Sequence, residues 1–129
     1  MNTPQAKSKK SSRATKPVNQ GARLPCPIAR SITLAELTKY QSGAIVSREV
    51  LRKPTGTVTA FAFDAGQALS EHTAPFDALI CMLDGEAEMR IAGKKRQVGA
   101  GQMIILPANK PHAVKAVTRF KMLLVMIRS

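Results

Sequence analysis

Gly66-Gln-Ala-Leu-Ser-Glu-His72-Thr-Ala74-Pro-Phe-Asp77-Ala78-Leu-Ile-Cys-Met-Leu-Asp84-Gly85 is followed, after an interval of about fifteen residues, by Gly101-Gln-Met-Ile-Ile-Leu-Pro107-Ala-Asn109-Lys-Pro111-His112-Ala-Val-Lys-Ala116. Each phrase opens on glycine and carries one histidine, and His72 and His112 are the two histidines of the chain. Within the phrases, Leu79–Leu83, Gln102–Leu106 and His112–Val117 have the apolar, β-branched texture of short strands, and Asp84-Gly85 is a tight-turn dipeptide.

The flanks continue that texture. Ile45–Leu51 and Thr55–Phe63 read as strands, the second rich in Thr, Val and Phe. Glu86–Ile91 alternates strictly, with Ala87, Met89 and Ile91 on one face and Glu86, Glu88 and Arg90 on the other. Gly93-Lys-Lys-Arg reads as a charged turn, and Phe120–Ile127 as a last strand. Turn signals roughly every ten residues, with no long helical pattern, predict an all-β sandwich or barrel over residues 43–129 and disfavour an alternating α/β fold. Residues 25–42 read as a connector. Pro25 and Pro27 extend its start, and Thr33-Leu-Ala-Glu36 fits a capping box opening a helical turn over 34–39.

Charge is concentrated at one end. The chain of 129 residues carries 20 basic and 8 acidic side chains, net +12. Lys7, Lys9, Lys10, Arg13, Lys16, Arg23 and Arg30 fall in the first thirty residues, where no acidic residue occurs. That stretch lacks apolar periodicity, and residues 1–24 are expected to be a disordered basic tail making at most a weak polyanion contact. With 4% aromatics and no Trp, base stacking on exposed rings is disfavoured, so no specific nucleic-acid partner is expected. No apolar run has the ~18 residues of a membrane span, and no secretory apolar region follows the basic residues. The cytoplasm is the expected location. Cys26 and Cys81 form no CxxC pair, and Cys81, inside an apolar run, reads as inert core. Phosphate-loop and nucleophile-elbow motifs do not occur.

The two glycine-bounded phrases resemble the paired motifs of the cupin superfamily. Gly66, His72 and Gly85 match the first motif in spacing. Gly101, Pro107 and His112 match the second, with Asn109 where the family usually has Gly. The resemblance spans roughly residues 43–128 and is to small single-domain cupins. It implies a double-stranded β-helix, or jelly-roll barrel, and a homodimer. The apolar strand Met122–Ile127 has hydrophobes facing both ways and would serve both core and interface.

The departures bear on function. Metal-binding cupins use two His and a Glu from the first motif and a His from the second. Here the second His position is Ala74 and the Glu position is Ala78. Catalytic transition-metal sites generally need about three protein ligands. Glu71 has the wrong strand parity beside His72, and so do Asp77 and Cys81 unless a bulge intervenes. No metal or other cofactor is therefore expected; any metal would rest on His72 and His112. If His72 faces inward, Ala74, Ala78, Ile80 and Met82 follow. Either Phe61 and Phe63 or their alternates join them, and Met89, Met103, Met122 and Met126 are further candidates for the lining. The expected site is His72, His112, Phe63, Ala74, Ala78, Met82 and Met89 around a small apolar molecule, in a metal-free binding, sensor or accessory module. The alternative is a metal-dependent enzyme of dioxygenase or isomerase type, using His72 and His112 with a divalent transition metal.

Overall fold

The computed structural model describes residues 17–19 and 28–128. Ten strands follow in order: β1 (Pro17–Asn19), β2 (Ile45–Lys53), β3 (Gly56–Phe63), β4 (Ala68–His72), β5 (Ala78–Asp84), β6 (Glu86–Ile91), β7 (Lys94–Gly99), β8 (Met103–Leu106), β9 (His112–Ala116) and β10 (Phe120–Ile127). They build a six-stranded sheet, β1-β2-β3-β10-β5-β8, and a four-stranded sheet, β4-β9-β6-β7. All pairings are antiparallel except that of β1 with β2. The expected all-β, cupin-type barrel is what forms.

Alternation sorts the side chains. Phe61 and Phe63 on β3, Ala78, Ile80 and Met82 on β5, and Phe120 and Met122 on β10 turn inward and are buried. They meet Ala87, Met89, Val98, Val114 and Ala116 from the smaller sheet. Phe63 stacks on Phe120 with ring centroids 4.4 Å apart. Burying each such ring is worth roughly 1.5–3 kcal/mol. The outer face of the larger sheet is also apolar. Val58, Val125, Leu79 and Ile105 form one row across β3, β10, β5 and β8, and Ala60, Leu123, Cys81 and Met103 form the next. Cys81 is thus half-buried on the outside rather than in the core, and Met103 is exposed, contrary to its expected place in the lining.

Three local expectations change. The turn between β6 and β7 is Ala92-Gly93, both at positive φ as a tight hairpin requires, and Lys94 already begins a strand. Its alternation is invisible in the sequence because β7 is an edge strand, where Lys94 and Arg96 reach water even with inward parity. The helical segment is a single 3-10 turn, Leu34–Glu36, and Thr33 makes no side-chain cap; the Thr33 carbonyl instead accepts from Glu36 N–H at 2.9 Å. What holds this segment is tertiary. Leu37 and Thr38 are buried, Lys121 Nζ donates to Ala35 O at 2.6 Å, and Tyr40 Oη donates to Asp84 at 2.5 Å. Lastly, Pro17–Asn19, inside the stretch expected to be disordered, forms β1, an edge strand in register with Ile45–Ser47. An edge is where proline is tolerated in a sheet. The rest of that stretch lies outside the described residues.

Gly85, between β5 and β6, sits at φ +75° under the chain at Arg119 and Phe120, and a Cβ there would lie 1.9 Å from Arg119 O. Gly93 has φ +83° but open space around it. Gly93→Ala should therefore cost only the backbone term, about 1 kcal/mol, whereas Gly85→Ala must move backbone and should cost several times that. Chemical denaturation of the two variants checks the ranking; equal losses would refute the close approach at Gly85.

Candidate functional site

Pairing between β4 and β9 puts His72 directly across from His112. Leu69 pairs with Val114, so β4 uses three steps from Leu69 to His72 while β9 uses two from Val114 to His112. The extra residue is a β-bulge at Ser70-Glu71. It reverses the parity of β4, so that Leu69 and His72 both face the interior. The two imidazoles meet edge to face, with centroids 4.4 Å apart. His112 is buried at 5% exposure and His72 stands exposed at the rim.

Each ring is held by the carbonyl two residues before it. His72 Nδ1 lies 2.8 Å from Ser70 O, and His112 Nδ1 lies 3.2 Å from Lys110 O. The loops around them are strapped together. Asn109 N–H donates to Ala74 O at 2.7 Å, and Ala108 N–H donates to Asp77 Oδ1 at 2.8 Å. Asn109 takes φ +63°, a conformation asparagine tolerates where the motif usually has glycine.

The histidines border a cavity of about 190 Å³. Four of the expected site residues line it: His72, His112, Ala74 and Ala78. Phe61 rather than Phe63 is the β3 ring that reaches it. Phe63, Met82 and Met89 belong instead to the closed core, where Phe63 is committed to its stack on Phe120. Met122 and Met126 line the wall as expected. Sequence reasoning missed five lining residues. Val114 and Leu124 lay within reach, each two positions from a residue of known direction; Leu106 did not, because the expected inward Met103 gave β8 the opposite parity. Phe76 shares the parity of Ala74 and Ala78; its ring stands 5.6 Å from the Arg128 guanidinium. Leu69 had no signal, because the bulge hides it.

The residues present do not fit the metal that the family commonly holds. Among the described residues no three His, Cys, Asp or Glu side chains converge. Asp77 is engaged with the Ala108 amide, Glu71 is exposed at the bulge, and Cys81 opens on the outer face of the other sheet. Two imidazoles facing hydrocarbon fall short of the usual set of about three ligands.

A double-layered barrel with its histidines at one mouth defines a small cupin. A model of the cupin domain matches residues 60–128, and the chain belongs to that family. Among solved structures, it is 34% identical to a conserved protein of unknown function from Streptococcus pyogenes, covering 78% of this chain and 89% of that one at a TM-score of 0.75. It is 28% identical to a cupin superfamily protein from Desulfitobacterium hafniense, covering 83% and 99% at a TM-score of 0.76. A cupin 2 conserved barrel domain protein from Leptotrichia buccalis is 43% identical, over 75% of this chain and 47% of that one, at a TM-score of 0.73. A search of curated proteins finds no match. Among the described residues no helix is long and apolar enough to cross a membrane.

Burial, and then the neighbouring His72, hold the His112 imidazole below its ordinary value of 6.5; the Lys110 carbonyl opposes them. The folded ring therefore binds a proton less readily than the unfolded one. The stability tied to this difference is present above about pH 6.5 and is lost as the pH falls from there through the lower value of the folded ring. The melting temperature should drop on acidification below pH 6.5, and more shallowly in His112→Gln. Parallel curves for the two proteins would remove His112 from this role.

Proposed function

We propose that this cupin is a metal-free module that binds a small, largely apolar molecule in its barrel and serves as a sensor or accessory protein. The observation that carries the reading is the lining of the cavity. Apart from His72 and His112, every side chain around it among the described residues is hydrocarbon or thioether. Where related sites place ligands, Ala74 and Ala78 present methyl groups and leave space. At about 190 Å³ the cavity exceeds the ~150 Å³ apolar cavity that admits one benzene molecule. The occupant is then a molecule of about one ring. It gains its affinity from burial, with the histidines supplying orientation. Methionines and an open rim let the wall adjust to shape.

Two measurements test this. Elemental analysis should find iron, manganese, nickel and zinc below stoichiometry, and added divalent ions should leave the melting temperature unmoved. Stoichiometric metal, lost in both His72→Ala and His112→Ala, would establish the metal-dependent alternative. Ala78→Leu should fill the cavity from β5, weaken binding of single-ring compounds at least tenfold, and keep or raise the melting temperature, because the added carbons occupy existing space. Undiminished binding in that variant places the ligand elsewhere.

A further inference from the structure

The polar chemistry of this cavity is one-sided, and that narrows the class of molecule it accepts. The argument rests on the pocket reading given above. A backbone carbonyl only accepts hydrogen bonds. The nitrogens facing Ser70 O and Lys110 O must therefore carry hydrogen, which fixes both neutral imidazoles as the Nδ1–H tautomer. In the neutral ring the nitrogen left, Nε2, holds a lone pair and no proton. Burial and the adjacent ring favour the neutral form of His112.

Two polar groups of the loops near the cavity are already engaged. The Ala74 carbonyl takes the Asn109 amide, and Asp77 takes that of Ala108. Among the described residues, no side chain in the lining other than the histidines carries a nitrogen or oxygen. Among the described residues, the lining side chains thus offer acceptors to an incoming molecule and no donor; the Arg128 guanidinium lies outside the lining, 5.6 Å from the centroid of the Phe76 ring.

We propose that the cavity selects single-ring molecules bearing a hydrogen-bond donor, a hydroxyl or N–H, over molecules of equal size with only acceptors or no polar group. The donor meets Nε2 of the imidazole pair, and the ring packs between Phe61, Phe76 and the aliphatic wall. Such a site penalises a donorless analogue by leaving a desolvated lone pair unmatched. His72 stands at the rim, where water can partly replace the missing donor. One net hydrogen bond, about tenfold in affinity, is the expected discrimination.

Titration of the full chain with phenol, toluene, anisole and benzoate, followed by calorimetry or chemical shifts, tests the proposal. Phenol should bind about tenfold tighter than toluene and anisole. Phenol is the better hydrated of the first two, so an apolar cavity alone would rank them the other way. Benzoate should bind weakest at neutral pH, since it brings only acceptors. His112→Phe keeps the ring and removes the acceptor; its phenol preference should collapse to within about twofold while toluene still binds. His72→Phe, at the exposed rim, gives the same reading should the buried variant fail to fold. If toluene matches phenol in the unaltered protein, or benzoate binds best, donor selection is wrong and the apolar pocket stands. If none of the four binds, the pocket reading falls with it.

Discussion

One extra residue in β4 decides what the interior of this barrel contains. A regular strand would send Leu69 and His72 to opposite faces, and with Leu69 packed inward the histidine would point to solvent. The bulge at Ser70-Glu71 brings both inside, opposite Val114 and His112. It also provides the Ser70 carbonyl that holds the His72 ring. The imidazole contact and the Leu69 wall of the cavity both follow from this irregularity. The strap between Asn109 and Ala74 then fixes the two motif loops relative to each other.

Much of the fold was legible because burial is one-sided. Where a strand has one wet and one dry face, as in Glu86–Ile91, the period of two appears directly in the residues. Legibility failed where geometry broke the period or where water reached both faces. The edge strand β7 reads as a basic turn because most of its side chains are solvated, and only Val98 is buried. The 3-10 turn at Leu34–Glu36 has the letters of a capping box, but contacts from Lys121 and Tyr40 override the local cap. At the site, the histidines and alanines were readable from spacing, and Phe76 was available from parity. The exchange of Phe63 for Phe61 was not. Both share one face of β3, and only the stack with Phe120 decides which ring is left for the cavity.

At this mouth of the barrel the two histidines border a chamber walled by hydrocarbon. Two of the small residues in that wall, Ala74 and Ala78, bring methyl groups rather than lone pairs. A metal centre needs lone pairs converging on a point and anions to neutralise charge. This chamber has two imidazoles meeting edge to face and carbon walls, and its neighbouring carboxylate, Asp77, is spent on a loop amide. Burial there favours uncharged species, and the neighbouring rings disfavour double protonation.

Tyr40 carries a consequence of its own. It is the single tyrosine of a chain without tryptophan. Its hydroxyl donates to Asp84, and its ring lies beneath Arg119 and Lys121, at 4.3 and 4.8 Å from the centroid. Burial and that carboxylate keep the phenol from ionising in its usual range. The near-ultraviolet emission of the protein thus arises largely from one ring at the seam between connector and barrel. Light absorbed there reports a single place, so undocking of the connector has its own optical signature, separate from melting of the barrel behind it.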